Sequence, residues 1–469
     1  MLLIKIIALQ LLWYIAVFSS QYEHSYMMWP ISIMLVFINF KVFKINIPLR
    51  KYILFIFAFS SWGFIQDYLL INLGVLKISS VPLWLNSLWI IFLGYYGDVF
   101  NKFKSTNLIL LSILGFVGGV LSYYGGCRLS GVEISSDKFI HFTLIIGISW
   151  GLFFPITMRI FYMDNFWNWL LDRTIYFSFD SSGFKRHKKT YFNELNKKSV
   201  ENTNILITGG TGGIGRNVCE TLESFGAKVF FTGRNIEKGK KFESDRSKFL
   251  KLDMVNWSAI KEFCVNCPSF DSVILNAGGM PDELVKNDQG VEHQAASQLF
   301  GHYNLINELK AQGKLNKGCS ITWISSGGMY LKKIDLDNLV EPSDYDKVEV
   351  YANVKRSQIT LTEEMGKSTD WNDFKVFSMH PGWVGTDGLK DALPKFYKFT
   401  EKRLRNLSEG ADTIVWLQTQ KNDLKSGEFY FDRKIVSPYI SDSYKPTDEQ
   451  RKTLLNLVKK YSSSENINE

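Results

Sequence analysis

The chain has 469 residues and a formal net charge of +8, a length that predicts two or more domains. Residues 1–160 contain 11 Lys/Arg and 5 Asp/Glu, whereas the remaining 309 residues contain 43 and 41. The first part therefore has the composition of a membrane domain and the second that of a soluble domain. Because +6 of the net charge lies in the apolar part, the basic balance fits positively charged cytoplasmic loops, and no nucleic-acid partner is expected.

Six apolar stretches, each of about the length that a spanning helix requires, divide the first part. They lie near 4–20, 27–43, 52–75, 83–100, 106–126 and 139–161. With the N-terminus inside, the inner segments hold seven Lys/Arg and the outer loops three, which favours this orientation. We therefore predict a polytopic α-helical membrane domain of about six helices, with the N-terminus and the C-terminal half in the cytoplasm.

An acidic residue, Asp67, lies within the third stretch, in "GFIQDYLLINLG". A carboxylate inside a spanning helix is costly and often functional. A carboxylate near the helix end could instead reach the interface. We favour a function for Asp67, and the interfacial alternative stays open.

Three stretches of the membrane domain, "DYLLINLGVL", "PLWLNSLWIIFLG" and "GFVGGVLSYYGGCRLSG", resemble an uncharacterised family of small bacterial inner-membrane proteins. The resemblance covers most of 1–160. It implies a location in the bacterial inner membrane and brings no known activity.

The segment "FYMDNFWNWLLDRTIYFSF", residues 161–179, is crowded with aromatic side chains. Aromatic residues are enriched at membrane–water interfaces, so we predict that it lies on the bilayer surface; the alternative is the end of the last helix. The predicted domains are a membrane domain over 1–161, an interfacial segment and linker over 162–201, a soluble domain over 202–445, and a C-terminal helix and disordered tail over 446–469.

The five cysteines suggest no disulfide framework. Cys264 and Cys267 form a lone C-x-x-C without a second pair or histidines at ligand spacing. We interpret them as small residues in a reducing cytosol rather than as a zinc or redox site, and no metal site is predicted.

The run "NILITGGTGGIGRNVCETLESFGAKVFFTGRN", residues 204–235, predicts a strand, a glycine turn, a helix and a second strand. In such a βαβ unit, glycines let the backbone approach a pyrophosphate at the helix N-terminus. The context makes this a dinucleotide-binding motif rather than a chance cluster of glycines. We therefore predict a doubly wound parallel sheet of the α/β Rossmann type.

The end of the second predicted strand discriminates between the two nicotinamide cofactors. NAD sites usually place an acidic residue there, whereas an arginine suits a 2′-phosphate. Here the strand ends in "TGRN", and Arg234 is followed by Glu237 and then by Lys238. We predict NADP(H), with NAD(H) as the second choice; the alternative is that Arg234 is a solvated loop residue.

Five further motifs occur in one order over about 240 residues: "TGGTGGIG", "LNAG", "ISSGGMY", "YANVK" and "HPGWVGT". Together they resemble the short-chain dehydrogenase/reductase family. Within it, "SSGGMY", "YANVKRSQITLTE", "SMHPGWVGTDGLKDALP", "EGADTIVWL" and "FYFDRK" are most similar to the branch named for dehydrogenase/reductase member twelve. The resemblance implies an NAD(P)-dependent oxidoreductase that acts on CH–OH groups.

The resemblance also implies roles for single residues. Tyr351 would be the general acid/base, and Lys355, four residues later on one helix face, would lower the tyrosine pKa and bind the nicotinamide ribose. Ser326, in preference to Ser325, would polarise the substrate carbonyl. The residues that would bind the cofactor are Thr208, Gly209, Thr211, Gly213, Ile214, Gly215, Arg234, Asp253, Asn276, Ala277, Gly278, Tyr351, Lys355, Pro381, Gly382 and Thr386.

Two further residue patterns affect how this site is interpreted. Tyr430 and Lys434 repeat the spacing of Tyr351 and Lys355, but the resemblance places them in a C-terminal strand and loop, so we expect a structural role. Gln298 stands where the family has a fourth catalytic residue, an asparagine that anchors a water relaying protons to the lysine. Glutamine is one methylene longer, so the relay could be shifted, slowed or lost.

A basic and aromatic segment, "DGLKDALPKFYKFTEKRLRNL", follows Thr386. It could rest on an anionic bilayer or form an ordinary substrate lid with a solvated charged face. We favour a membrane-tethered reductase of a lipophilic, lipid-derived carbonyl or alcohol. The alternatives are a cofactor-binding scaffold without turnover and a transporter regulated by its cytosolic half. The oligomeric state is not indicated, and a homodimer is one option.

Overall fold

The computed structural model describes residues 2–42, 49–94, 103, 106–162, 171–172, 174–191 and 194–462. The chain divides into two compact units, Met1–Leu170 and Leu171–Glu469. The division falls inside the segment predicted to be a linker, so that from Leu171 onwards the chain belongs to the second unit.

The first unit consists of helices at the six predicted apolar stretches. They are α1 Leu2–Ser19, α2 Met28–Val42, α3 Leu49–Asn72, α4 Leu83–Gly94, α5 Leu108–Ser130 and α6 Phe139–Tyr162. Among the described residues, three segments are long and apolar enough to cross a membrane, namely Tyr52–Asn72, Leu108–Ser130 and Ser136–Ile160. The helical membrane domain is therefore confirmed, and three of the six predicted spans meet the length and composition of a spanning helix.

Helices α5 and α6 pack closely because each places glycines under an aromatic side chain of the other. A Cβ atom on Gly119 would lie 2.4 Å from Cγ of Trp150, and one on Gly147 would lie 2.3 Å from Cε2 of Phe116. Small residues let helix backbones approach in membranes, where van der Waals packing replaces the hydrophobic drive of water. Each helix thus places an aromatic side chain against a glycine of the other.

The second unit is built on one sheet of eight strands in the order β3-β2-β1-β4-β5-β6-β7-β8. All neighbours are parallel except β7 and β8. The strands are β1 Asn204–Ile207, β2 Lys228–Gly233, β3 Ser247–Lys251, β4 Phe270–Leu275, β5 Leu315–Ile324, β6 Lys375–Met379, β7 Phe429–Phe431 and β8 Lys434–Ile435. The order reverses between β1 and β4, and ligands of such sheets bind at the carboxyl ends of the strands beside this point.

Helices cover both faces of this sheet. They are α7 Ile175–Phe179, α8 Ser181–Lys188, α9 Gly213–Ser224, α10 Ile236–Lys240, α11 Trp257–Asn266, α12 His293–Ala295, α13 His302–Ala311, α14 Asp337–Val340, α15 Lys347–Met365, α16 Asp387–Ala392, α17 Pro394–Thr400, α18 Leu407–Gln420 and α19 Asp448–Ser462. One core packs α11, α13 and α15 on the sheet, and the other packs α9 and α18. The predicted doubly wound Rossmann fold is confirmed.

The C-terminal part of the chain contains the predicted helix, α19. Its Leu454 and Val458 are buried in the core, so this helix is part of the domain. The predicted disordered tail, 463–469, lies outside the described residues.

A tight hairpin at the sheet edge accounts for the second tyrosine and lysine pair. Asp432 and Arg433 join β7 to β8 with φ of 46° and 60°, as a two-residue hairpin turn requires. The Tyr430 hydroxyl donates to the Lys425 carbonyl, and Lys434 donates to Thr190. The pair is structural, as predicted.

Candidate active site

The glycine turn after β1 leaves room that side chains would fill. Gly209 and Gly213 have φ of +70° and +55°, and a Cβ on Gly209 would lie 2.8 Å from the Cα atom of Ala277. A Cβ on Gly215 would lie 2.5 Å from Nδ2 of Asn276. The turn can therefore bring its backbone close to a ligand only because it consists of glycines, and it opens directly into helix α9.

A cavity of about 430 Å³ lies beside this turn, a size typical of a small-molecule site. Eleven of the residues predicted to bind the cofactor line it: Gly209, Thr211, Gly213, Ile214, Gly215, Arg234, Asp253, Asn276, Ala277, Gly278 and Thr386. The structure therefore brings together residues from the segments that follow β1, β2, β3, β4 and β6.

The cavity also contains residues for which the sequence assigned no role. Lys238, His293 and Ser297 line it, and the ammonium nitrogen of Lys238 lies 3.5 Å from where a Cβ on Gly212 would be. Burial and the neighbouring Arg234 lower the pKa of His293. The basic residue two positions into α10 could be anticipated from the sequence. His293 could not, because it follows a long loop after β4.

Thr208 lies beneath the turn rather than in the cavity. It is fully buried, and its hydroxyl oxygen accepts hydrogen bonds from the backbone N–H groups of Asn276 (2.9 Å) and Ala277 (3.0 Å). The Nδ1 atom of His302 lies 3.0 Å from the Gln298 carbonyl and must therefore donate, which leaves Nε2 to accept from Thr208 at 2.9 Å. Thr208 thus positions the turn, and burial keeps His302 neutral by lowering its pKa to about 3.

The second part of the site lies at the end of β5. The side chain of Ser326 lies near the Tyr351 hydroxyl, whereas Ser325 is buried and donates to the backbone carbonyl of Lys355 at 3.0 Å. The ammonium group of Lys355 lies 5.3 Å from the centre of the Tyr351 ring and donates to the Ile324 carbonyl at 2.8 Å. The structure brings the three predicted catalytic side chains together, and Ser326 is the serine that faces the tyrosine.

The pKa of the tyrosine differs in direction from the expectation. Burial raises the pKa of Tyr351, and the Ser326 hydrogen bond lowers it only in part. Burial also lowers the pKa of Lys355 to about 7, so the lysine is only partly charged at neutral pH and its nearest hydrogen-bond partner is a carbonyl. Burial thus acts on both groups, and for the tyrosine its effect outweighs those that lower the pKa.

Gln298 lies within a π-helical turn, Ala296–Gly301, that joins α12 to α13. Its Nε2 donates to the Gly279 carbonyl at 2.8 Å, and its backbone carbonyl accepts from Gln358 at 2.7 Å. Its Oε1 is buried and has no hydrogen-bond partner among the described residues. The helix is therefore irregular at Gln298, and the glutamine amide reaches the segment after β4 that borders the cavity.

Replacing Gln298 by asparagine tests whether its length impairs the site. The shorter side chain releases the Gly279 carbonyl and leaves space for a water between the π-helical turn and α15. We expect kcat to rise several-fold in Gln298→Asn, with the Kd for NADPH changed less than the rate. Stopped-flow NADPH oxidation and cofactor titration separate the two effects. An unchanged kcat would show that the site tolerates glutamine.

The segment that follows the membrane domain is hydrogen-bonded to the region after β6. Asp180 accepts two hydrogen bonds from Arg403, at 2.8 Å and 2.6 Å. The Phe179 carbonyl accepts from the N–H of Trp383 at 2.9 Å and from Arg405 at 3.0 Å. The described part of the predicted interfacial segment, from Thr174 onwards, is therefore packed on the catalytic unit; residues 163–170 lie outside the described residues.

Phe179 explains why this part does not behave as an interfacial belt. Its side chain is 6% exposed and packs against His380, Trp383 and Phe431. It also covers Gly327, where a Cβ would lie 2.5 Å from the Phe179 ring. Phe179, which follows the last apolar helix of the first unit, thus fills the core beside Gly327 in the loop after β5.

Arg403 and Arg405 both belong to the predicted basic segment, but only Arg403 is partly exposed, at 34%, whereas Arg405 does not lie on a lid surface. Arg405 is buried and paired with Asp432, which also accepts from His187 at 2.5 Å. Although burial alone would raise the pKa of Asp432, Arg405 and His187 hold it below its usual value. Arg405 also donates to the Pro381 carbonyl, so the pair fixes the loop next to the site.

Gly382 has φ of +77°, and a Cβ there would lie 2.4 Å from Nε of Arg405. Neither Pro381 nor Gly382 lines the cavity described above. Thr386 lies 3.5 Å from where a Cβ on Gly213 would be, and its side chain caps α16 by accepting from Leu389. Of the three loop residues, Thr386 alone is placed against the glycine turn.

The two cysteines of the C-x-x-C pattern are buried free thiols. Burial raises the pKa of both Cys264 and Cys267, which makes them unreactive as thiolates. Among the described residues, no group of His, Cys, Asp and Glu is arranged to hold a metal ion.

Comparisons with known proteins divide the chain in the same place. Residues 2–156 match a family of proteins of unknown function, DUF2878, and residues 205–421 match the NAD dependent epimerase/dehydratase family. The human dehydrogenase/reductase SDR family member 12 is 28% identical over 290 residues, which are 58% of this chain and 91% of that protein. Over these residues the C-terminal part of the chain is similar to short-chain dehydrogenase/reductases. The enzyme is an oxidoreductase of CH–OH groups that uses a nicotinamide cofactor.

More distant short-chain dehydrogenase/reductases match the same part of the chain. The protein prx1 of Penicillium roqueforti is 27% identical over 231 residues, which are 45% of this chain and 68% of that protein. A solved short chain dehydrogenase of Shigella flexneri, complexed with NADP, is 21% identical with a TM-score of 0.40, and the alignment covers 50% of this chain and all of that one.

Proposed function

We propose that the protein is a membrane-anchored, NADP(H)-dependent oxidoreductase that interconverts a carbonyl and an alcohol on a lipophilic, lipid-derived substrate. The observation that carries this proposal is the meeting of Ser326, Tyr351 and Lys355 at the end of β5, next to a cavity that contains Arg234 and the glycine turn. The expected location is the bacterial inner membrane, with the catalytic domain in the cytoplasm.

The residues at the end of β5 supply the proton chemistry of such a reaction. The bound nicotinamide supplies the hydride for reduction and accepts it for oxidation. In the reducing direction, Ser326 donates a hydrogen bond to the carbonyl oxygen, and the Tyr351 hydroxyl gives its proton to that oxygen as negative charge develops. Lys355 stabilises the phenolate that remains, since a nearby ammonium favours the charged form.

The preference for NADP(H) rests on the charges at one end of the cavity. Arg234 and Lys238 both line it, and among the described residues neither forms an ion pair with an acidic side chain. The end of β2 provides no carboxylate that would repel a 2′-phosphate, and an arginine can bind that phosphate with two hydrogen bonds.

Exchanging the charge at Arg234 tests this preference. A hydrogen bond to a charged group contributes about 1.5–3 kcal/mol, so we expect kcat/KM for NADPH to fall roughly 10–100-fold in Arg234→Asp, while the value for NADH changes little or rises. Lys240→Asp is the matched control, because Lys240 is exposed on the following helix, α10, and does not line the cavity. An Arg234→Asp variant that keeps the wild-type preference for NADPH over NADH would contradict the assignment.

The lipophilic substrate is supported by the surface of the segment after Thr386. Phe399 is 74% exposed, and the neighbouring Lys398 and Lys402 are exposed as well, a combination suited to an anionic bilayer surface. A tethered enzyme also meets membrane-dissolved substrates at a raised local concentration. NADPH oxidation by the purified full-length protein tests this: lipid-derived carbonyls should react faster than small soluble aldehydes, and the reverse order would contradict it.

A further inference from the structure

Residues 386–404, called the lid below, leave the body of the catalytic unit and return to it at the same place. Val384 and Arg405, which flank the lid, pair in an isolated parallel bridge. The N–H of Gly385 donates to the Arg405 carbonyl at 2.9 Å, and the N–H of Arg405 donates to the Trp383 carbonyl at 2.7 Å. The chain between these bonds forms α16 and α17. A surface excursion whose ends are joined in this way can move on those ends without disturbing the sheet.

The lid touches two parts of the site at once. Its first residues, Thr386, Asp387 and Gly388, line the cofactor cavity. At the other end of α16, the backbone carbonyl of Ala392 accepts a hydrogen bond from the ammonium group of Lys347 at 2.6 Å. Helix α16 therefore extends from the cofactor cavity to the start of α15, the helix that contains the catalytic tyrosine.

Lys347 lies on the same face of α15 as the catalytic pair. It precedes Tyr351 by four residues, and Tyr351 precedes Lys355 by four, a spacing that places side chains on one helix face. The last carbonyls of a helix have no partner within the helix, and a lysine beside them satisfies an oxygen and complements the helix dipole. Lys347 therefore ties the end of α16 to α15 one turn away from Tyr351.

The same ammonium group also holds the segment after β4. Its nitrogen lies 2.5 Å from a carboxylate oxygen of Asp282, and the nearby Tyr345 hydroxyl donates to the Pro281 carbonyl at 2.8 Å. The Asp282 side chain is 83% exposed, whereas that of Lys347 is 23% exposed. An ion pair with an exposed acid contributes little, so we assign the larger effect of Lys347 to its bond with the lid.

The lid has few other polar connections to the body of the domain. Among the described residues, the bond from Lys347 is the only hydrogen bond that reaches residues 387–402 from outside the lid. The remaining contacts include Phe396, which packs edge-on against Trp383 with 5.1 Å between the ring centres. A segment held in this way opens at a lower free energy than the core does, and Lys347 is the residue that most directly sets this free energy.

We propose that Lys347 is a positioning residue of the reaction, which holds the lid against the cofactor cavity and the Tyr351 face of α15 and must release it for cofactor exchange. The inference rests on the proposed function, because it takes Tyr351 as the reacting tyrosine and the cavity as the cofactor site. A closed lid keeps water from the charge that develops on the substrate oxygen, and lid opening limits turnover in many enzymes. Lys347 acts through the lid and does not need to touch the substrate.

Release of NADPH from the full-length protein in nanodiscs, measured by stopped-flow fluorescence with excess NADP⁺ as the competitor, tests the inference without turnover. We expect the dissociation rate to rise about tenfold in Lys347→Met, which loses a hydrogen bond from a charged donor. Lys347→Arg keeps a charged donor and should stay within about threefold of the wild type. Lys332→Met is the matched control, because it removes an ion pair with Glu349 of the same helix and should release NADPH as the wild type does.

Trypsin cleavage after Lys395 and Lys398, two exposed lid residues, reports lid opening directly. With NADPH bound, both sites should be cut faster in Lys347→Met than in the wild type or in Lys332→Met. Unchanged NADPH release in Lys347→Met, or faster release without faster cleavage, would overturn the inference and leave the proposed function intact. Absence of NADPH binding by the wild type would overturn the proposed cofactor and, with it, this inference.

Discussion

Tyr351→Phe is expected to lower kcat by about 1,000-fold, the middle of the range for loss of a general acid/base, while the Kd for NADPH stays within a few-fold of the wild-type value. The phenolic hydroxyl, which lies near Ser326, is the proposed proton donor, and phenylalanine keeps the ring that packs beside Lys355. Single-turnover measurements with saturating cofactor isolate this step from cofactor binding and product release.

Tyr430→Phe is the matched control, because Tyr430 has the same spacing to a lysine. Its hydroxyl donates to the Lys425 carbonyl within the edge hairpin region, and its side chain is 1% exposed. The variant should therefore keep wild-type turnover at a small loss of stability. Equal loss of turnover in both variants would mean that Tyr351, on α15, has no special role.

Arg405→Met should destabilise the second unit by about 3–5 kcal/mol, the cost of leaving a buried carboxylate without its partner. Arg405 and Asp432 are 1% and 3% exposed, and methionine cannot replace the hydrogen bonds to Phe179 and Pro381. Pulse proteolysis of the full-length protein in urea, followed on the fragment of the second unit, measures this free energy without the membrane domain interfering.

Lys434→Met is the matched control, since Lys434 is an exposed residue of the hairpin that contains Asp432. This variant should change the free energy of unfolding by less than about 0.5 kcal/mol. Removing the acid as well, in Arg405→Met/Asp432→Ala, should recover part of the loss because no charge is then left buried. If Arg405→Met is as stable as the wild type, the ion pair between Arg405 and Asp432 does not have the stabilising role given to it.

The sequence was sufficient for those parts of the catalytic unit that depend on local pattern. The glycine turn, the strand before it and the helix after it could be predicted because one short run of residues strongly favours each of these local structures. The positions of Arg234, Asp253 and Thr386 then follow from the parallel order of the strands, because their carboxyl ends meet at one edge. The structure places all three around one cavity.

Contacts between distant parts of the chain were beyond the sequence. Asp180 and Arg403 are 223 positions apart, and nothing local shows that an arginine in a basic stretch is paired with a carboxylate. Charge runs usually indicate a solvated face, and Lys398 and Lys402 fit that rule, whereas Arg405 does not. For the same reason the aromatic Phe179 was placed at the bilayer and lies instead in the core.

The membrane unit shows a different limit. Apolar runs located each helix among the described residues of this unit, and three of the described segments are long and apolar enough for a crossing. The position of Asp67 was visible from the sequence, whereas its hydrogen bonds from Trp89 and Tyr123 depend on which faces of α3, α4 and α5 meet.

Transfer of deuterium from NADPH labelled at its hydride position tests the central claim most directly. The full-length protein in nanodiscs is incubated with labelled NADPH and a native lipid extract, and the products are analysed by mass spectrometry with Tyr351→Phe as the blank. The account predicts a deuterated lipid-derived alcohol that forms with the wild type and not with the variant. Tight NADPH binding with no deuterium in any lipid product would contradict it and favour the cofactor-binding scaffold.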